Sequence, residues 1–273
     1  MISELKDSDF GKISRLVYEL CGINLHEGKK ELVKARLGKR LREGNYKSFG
    51  DYFHYVTTDE GKDELIAMID SISTNLTSFF REESHFARLR IIASSLVEKA
   101  DPRSIPKLNI WSAGCSTGEE PYTIAITIKE AAQMRPLEAR ILATDISTKV
   151  LKTAQEAIYP AERVKKISAP VLAKYFQIGT GRSEGYFRAK KNIRDMISFQ
   201  RFNLMDKFPF ESNFDVIFCR NVMIYFDKYT QTQLVNKYYA SLKKDGYFFV
   251  GHSESLTGLK HPFKYIEPSV YQK

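Results

Sequence analysis

Cysteine is scarce in this chain. There are three, Cys21, Cys115 and Cys219, at no metal-ligand spacing, and their odd number argues against a disulfide framework. No apolar run approaches the roughly 18 residues that a membrane span needs. The first residues, Met1-Ile2-Ser3-Glu4-Leu5-Lys6-Asp7, lack the basic-then-apolar pattern of a secretory signal. Internal repeats and low-complexity tracts are missing, and nothing suggests a coiled coil. The expectation is a cytoplasmic protein with no membrane insertion.

What is present is ample for a packed core. The 273 residues are 43% hydrophobic, enough for one large domain or a small one beside a medium one. A formal net charge of +9 implies an acidic partner, which nucleic acid, anionic lipid or an acidic protein surface would each satisfy.

One stretch organises the rest, Ile110-Trp111-Ser112-Ala113-Gly114-Cys115-Ser116-Thr117-Gly118-Glu119-Glu120-Pro121. An apolar run stops at a small-residue turn, and apolar residues at helical spacing follow. Gly114 and Gly118 allow a tight bend, and Pro121 suits the first turn of a helix, where its missing N–H costs nothing. Strand, glycine loop and helix open a nucleotide- or nucleoside-binding α/β unit. The glycines do not follow the G-x-G-x-x-G spacing that meets a pyrophosphate. Glu119 and Glu120 bring negative charge where a phosphate would be repelled. The next expected strand, Ala139 to Asp145, ends in an acid suited to ribose hydroxyls. A nucleoside without phosphate but with a cationic centre is S-adenosylmethionine. On these residues alone, a structural glycine turn with a capping acid fits as well.

Residues 1 to about 90 read as helices with short connections. Phe10, Ile13, Leu16, Val17 and Leu20 mark a first helix, capped by Ser8 or Asp9 and stopped by Gly22. Lys29 to Arg42 places Val33, Leu37 and Leu41 on one stripe, with Arg36 flanking it and Lys39 and Arg42 turned away. This segment carries seven basic residues, among them Arg40, against one acid, Glu31. It reads as a solvated face or as a docking surface for an acidic helix. Helices around Phe49–Tyr55 and Lys62–Ile72 complete a bundle.

Residues 73–82 break the periodicity, placing Asn75 and Thr77 beside two aromatics and Arg81, which can hold a carboxylate in bidentate geometry. Tyr159 to Gln200 is too long for a simple crossover. Its runs Gly185–Lys190 and Ile193–Phe199 read as two strands of a small antiparallel subdomain, basic at Arg188 and Arg194. Phe214–Cys219 reads as a buried parallel strand leading into a ligand-side loop, Arg220 to Phe226. His85, His252 and His261 are unclustered in sequence and read as structural.

Taken together, the glycine loop, Asn75-Leu76-Thr77-Ser78-Phe79-Phe80-Arg81, Cys219-Arg220-Asn221-Val222-Met223-Ile224-Tyr225-Phe226 and Gly251-His252-Ser253-Glu254 closely resemble the CheR family of chemotaxis methyltransferases. Four motifs in the right order cover nearly the whole chain. The resemblance implies an all-helical N-terminal domain with its linker (1–90). It also implies a Rossmann-like S-adenosylmethionine-dependent α/β domain (91–273) with an antiparallel β-subdomain inserted at about 174–198. By the same resemblance, Asn75, Thr77, Arg81, Glu119, Asp145, Asn203, Leu204, Asn221 and Val222 contact the cofactor. Arg81 and Tyr225 arrange the methyl and the incoming carboxylate. Arg36, Lys39, Arg40, Arg42 and Arg188 contribute to substrate docking, and no metal is implied.

The product nucleoside would be S-adenosylhomocysteine. The implied partners are methyl-accepting chemotaxis receptors, through their cytoplasmic helices and in some members a C-terminal tether peptide. A monomer recruited to membrane receptor arrays is expected. Two other readings compete. A nucleic-acid methyltransferase would suit the charge, but Arg220-Asn221-Val222 stands where an Asp-Pro-Pro-Tyr-type motif is expected, so no nucleic-acid partner is anticipated. A non-catalytic adaptor would keep the pocket without turnover.

Overall fold

A computed structural model describes residues 4–133, 135–210 and 213–273. Helix α1 (Asp7–Cys21) buries Phe10, Ile13, Val17 and Cys21 on one stripe. It ends at Gly22, whose φ of 73° lets its N–H reach the Tyr18 carbonyl. The N-cap is Lys6, which makes no side-chain cap, so neither Ser8 nor Asp9 fills that role. Helices α2 (Lys30–Glu43), α3 (Phe49–Val56) and α4 (Lys62–Ile72) share one core with α1 through Val33, Leu37, Tyr52 and Met68, all fully buried.

The segment 73–82, which holds no helix or strand, then leads to α5 (Glu83–Lys99). The sequence divide at residue 90 falls inside this unbroken helix. Phe86, Leu89 and Ala93 of α5 share a core with the sheet that follows rather than with the bundle.

That sheet and its covering helices begin with β1 (Lys107–Ala113), α6 (Glu119–Ala131), β2 (Glu138–Asp145) and α7 (Thr148–Glu156), continuing after the insertion described next. The insertion holds β3 (Ile158–Pro160), α8 (Ala161–Val164), α9 (Ala169–Tyr175), β4 (Phe176–Ile178), β5 (Tyr186–Ala189) and α10 (Lys191–Arg194). The frame resumes with β6 (Ile197–Arg201), β7 (Phe214–Cys219), α11 (Lys228–Ser241), β8 (Leu242–Val250), β9 (Lys264–Glu267) and β10 (Val270–Gln272).

The large sheet runs β6-β2-β1-β7-β8-β10-β9. Its first five strands are parallel, and β10 pairs antiparallel with both β8 and β9. Side chains alternate between its faces. Ile110, Val216 and Phe218 join α5 and α6 on one side, while Trp111, Ile217 and Cys219 join α11 on the other.

The insertion forms a second, antiparallel sheet in the order β3-β5-β4. It therefore begins at Ile158, earlier than expected. The run Ile193–Phe199 is not one of its strands: Ile193 lies in α10, and Ile197–Arg201 is the edge strand of the large sheet, pairing with β2. Both partners of that apolar run could only be told apart by long-range pairing, since a short apolar run carries no record of which sheet it joins.

Candidate functional site

Strand order reverses at the centre of the parallel sheet, where β1 has β2 on one side and β7 on the other. Open α/β sheets bind ligands at the carboxyl ends of the strands at such a point. There the glycine loop leaves β1. Gly114 sits at a φ of 82° with the Val222 side chain against it, so close that a Cβ would lie 2.4 Å from Val222 Cγ2. The Ser116 N–H donates to Asp145 Oδ2 at 2.8 Å, and the Ser147 N–H donates to Oδ1 at 2.9 Å. Asp145 thus fixes the loop of β1 from the end of β2. Burial pushes its carboxyl above the usual range, against the pull of those N–H groups.

These ends open into a cavity. Asn75, Thr77, Arg81, Asp145, Asn203, Leu204, Asn221, Val222 and Tyr225 all line it. Residues more than a hundred positions apart therefore converge on one space. Arg81 is half-buried, donates to the Leu76 carbonyl at 2.9 Å and has no carboxylate partner among the described residues. The Tyr225 hydroxyl also makes no hydrogen bond within the described residues.

Glu119 is placed differently. Its side chain is fully buried, accepting from Thr117 Oγ1 at 2.6 Å and from Arg163 Nη1 at 2.8 Å, and it is absent from the cavity wall. Its neighbour Glu120 lines the cavity instead. Successive helical residues are turned about 100° apart, so only one of the pair can face the ligand side.

Glu120 accepts from Ser112 Oγ at 2.7 Å and from Arg220 Nη1 at 2.8 Å. Arg220, only 2% exposed at its side chain, also pairs with Glu82 at 3.0 Å, donates to the Arg81 carbonyl and lies over the Phe86 ring. Burial raises the Glu120 carboxyl despite Arg220. For Glu82 burial is again the largest influence and acts in the same sense, but Arg220 and His252 together outweigh it and the carboxyl is held below its ordinary value. The acid-and-arginine pair Glu120–Arg220 was not singled out by sequence, although both residues sit inside motifs that were.

The helical bundle supplies a wall that the sequence did not announce. Cys21, Ile23, Asn24, Leu25 and Ile72 line the cavity. The bundle is tied to the sheet by Asn203 Nδ2 donating to the Leu20 carbonyl at 2.6 Å and by the Asn24 N–H donating to the Tyr225 carbonyl at 2.9 Å. Tyr18 Oη adds a third link, donating to Asp227 Oδ2 at 2.7 Å.

The docking residues divide into two sets. Lys39, Arg42 and Arg188 are exposed. Arg36 instead donates to the carbonyls of Ile72 and Ser73 and to Thr74 Oγ1, and Arg40 pairs through two nitrogens with Glu64. A guanidinium has five donors in a rigid fork, so it readily ties off a helix end or a half-buried carboxylate.

The histidines are not all isolated. Glu82, His85 and His252 each bring one ligand atom within 4.8 Å of the others, and the rings of His85 and His252 meet edge to face at 4.8 Å. Glu82 is committed to Arg220, and His85 is 1% exposed with neither ring nitrogen bonded. Desolvation, and then the nearby Arg220 charge, lower its pKa to about 3. Cys219 is buried with its thiol pushed upward by burial, which makes it unsuited to act as a nucleophile.

Comparison with known proteins gives a consistent picture. Residues 75–272 match the family described as CheR methyltransferase, SAM binding domain, and residues 8–73 match the CheR methyltransferase all-alpha domain. The chain is 43% identical over 269 residues to a chemotaxis protein methyltransferase of Borreliella burgdorferi, covering 97% of this chain and 94% of that protein. It is 40% identical to chemotaxis protein methyltransferase 2 of Pseudomonas aeruginosa, covering 96% and 92%. It is 39% identical to the chemotaxis protein methyltransferase of Escherichia coli, covering 98% and 91%.

Proposed function

This chain belongs to the CheR methyltransferase family, and on that premise we propose that it transfers the methyl group of S-adenosylmethionine to glutamate side chains of chemotaxis receptors, forming glutamate methyl esters. Arg81 carries the reading: it is a half-buried guanidinium on the wall of the cofactor cavity with no carboxylate of its own among the described residues. Such a group suits an incoming carboxylate, which it can grip with two parallel N–H bonds.

The chemistry needs no general base. A glutamate of ordinary pKa about 4.3 is already ionised at neutral pH. Its oxygen attacks the sulfonium methyl, the carbon–sulfur bond breaks, and the electron pair stays on sulfur, so both charges are neutralised in one step. The protein contributes by aligning the two partners and excluding water, an effect worth up to roughly 7–11 kcal/mol in favourable cases. Asp145 would accept from the ribose hydroxyls, and Asn75, Thr77, Asn203, Leu204, Asn221 and Val222 would frame the nucleoside and its amino-acid tail. In our assignment Glu120, rather than Glu119, presents the carboxylate beside that tail, and Tyr225 donates a hydrogen bond near the reacting centre.

We place the divide between the helical and methyltransferase domains within residues 73–82. Receptor helices would dock over the exposed Lys39 and Arg42, and Arg188 of the small sheet suits an acidic tether peptide. The protein would act as a cytoplasmic monomer recruited to receptor arrays. Tritiated methyl transfer to receptor-containing membranes tests the reaction: volatile label released by base is expected, and label that resists base would reject an ester product. Arg81→Ala should lower kcat by about 100-fold or more, as loss of an oriented charged donor does.

A further inference from the structure

Methyl transfer leaves the motif Gly251-His252-Ser253-Glu254 without a task. Glu254 is 8% exposed and lies off the cavity wall. Its Oε2 accepts from the N–H of Gly251 at 2.6 Å and of Asn221 at 2.7 Å, and its Oε1 accepts from the N–H of Ile224 at 3.1 Å. No cation pairs with it among the described residues. Three backbone donors from two strand ends thus converge on one buried carboxylate; they favour its ionised form, although burial outweighs them and holds the carboxyl above its ordinary value.

What these bonds restrain is the loop after β7. That loop carries Asn221, Val222 and Tyr225 into the cavity. Asn221 holds a φ of 59°, a left-handed conformation that asparagine adopts more readily than other non-glycine residues and that the bonds from Glu254 fix here. The approach from β8 is as close as backbone allows. A Cβ on Gly251 would lie 2.5 Å from Asn221 Nδ2 and 2.9 Å from both Asn221 N and Glu254 Oε2. Glycine and glutamate three residues apart therefore act as one clamp, the first by leaving room and the second by filling it with an acceptor.

We propose that Glu254 is a positioning residue for methyl transfer, holding the 221–225 loop in the arrangement that aims Tyr225 and Asn221 at the cofactor and the acceptor. The inference rests on the reading of Tyr225 as a group at the reacting centre. Glu254→Gln keeps the volume but turns an amide NH₂ toward donors that need an acceptor.

The experiment is a double-mutant cycle in the full-length chain with E254Q, Y225F and the pair. Steady-state methylation of receptor-containing membranes, S-adenosylhomocysteine calorimetry and thermal midpoints would be measured for each. We expect E254Q to lower kcat at least tenfold, to leave the KM for receptor within twofold, and to add little to the loss already caused by Y225F. Independent, multiplying losses would overturn the proposal, as would a folded E254Q with wild-type kcat. Y225F at wild-type rate would instead remove Tyr225 from the reaction. The proposal would then stand or fall on whether E254Q weakens S-adenosylhomocysteine binding through Asn221. Should E254Q fail to fold, Glu254→Asp, which retains the charge one methylene shorter, takes its place in the same cycle with the same criteria.

Discussion

Single residues in this protein acquire their character from what surrounds them, and His85 shows the effect most plainly. Buried between Phe249 and His252, it faces Arg220 and His252, which oppose a proton, and Glu82 and Glu267, which favour one. Desolvation dominates and lowers its pKa from 6.5 to about 3. The unfolded chain therefore binds a proton at this side chain near pH 6.5, while the folded chain resists it down to about 3. Between those values the unfolded state holds more protons, so stability rises with pH and is lost as pH falls. The loss should approach, at most, about 1.4 kcal/mol per pH unit. Urea unfolding at pH 7, 5.5 and 4.5 should show a steeper decline for the wild type than for His85→Phe, and equal slopes would count against this account. The sequence shows His85 and His252 only as two histidines far apart in the chain. Their meeting depends on α5 packing over the end of β8.

At the scale of elements, α2 separates pattern from partnership. Its apolar stripe, Val33, Leu37 and Leu41, is buried as the period predicts. Its basic residues look alike in sequence, yet the fold gives them different tasks. Arg40 grips Glu64, which also accepts from Tyr52 Oη at 2.8 Å, while Lys39 is 73% exposed and only loosely beside Glu43 at 3.8 Å. Arg40→Ala should therefore cost about 1–3 kcal/mol by leaving a half-buried carboxylate without its partner, lowering the thermal midpoint. Lys39→Ala and Arg42→Ala should keep stability within about 0.5 kcal/mol. They should raise the KM for receptor by up to about fivefold each, less at high salt. A fall in midpoint for Lys39→Ala as large as for Arg40→Ala would contradict this division of roles.

The glycine loop is the opposite case, being local. Gly118, at a φ of 94°, lies where a Cβ would come within 2.9 Å of Ala154 and of the Tyr159 hydroxyl. The need for glycine there is visible in the chain, even though the neighbours that impose it are not.

The molecule as a whole is a bundle and a sheet that close one cavity between them. Residues 21, 23–25 and 72 come from the bundle, and the strand ends come from the sheet. A ligand bound there contacts both and stabilises both. Saturating S-adenosylhomocysteine, at about 100 times its Kd, should raise the unfolding free energy by about 2.7 kcal/mol. Calorimetry should show this as an upward shift of the whole transition. A shift confined to one of two separate transitions would show that the bundle does not share the site.

Much of this was written in the chain itself: the helical and strand periods, the glycine turn and the acid ending β2, because each follows from the conformational preferences of neighbouring residues, whereas the Arg81 and Tyr225 motifs were legible only through their likeness to the CheR family. Other features were settled only when distant segments packed. Among them are the choice of Glu120 over Glu119 at the cavity wall, the clamp of Glu254 on Asn221 and the internal use of Arg36 and Arg40. The bond from Asn203 to Leu20, 183 residues away, belongs with them. The physical reason is that periodicity fixes which face of an element is apolar, but a buried charge or an unpaired backbone donor finds its partner only in three dimensions.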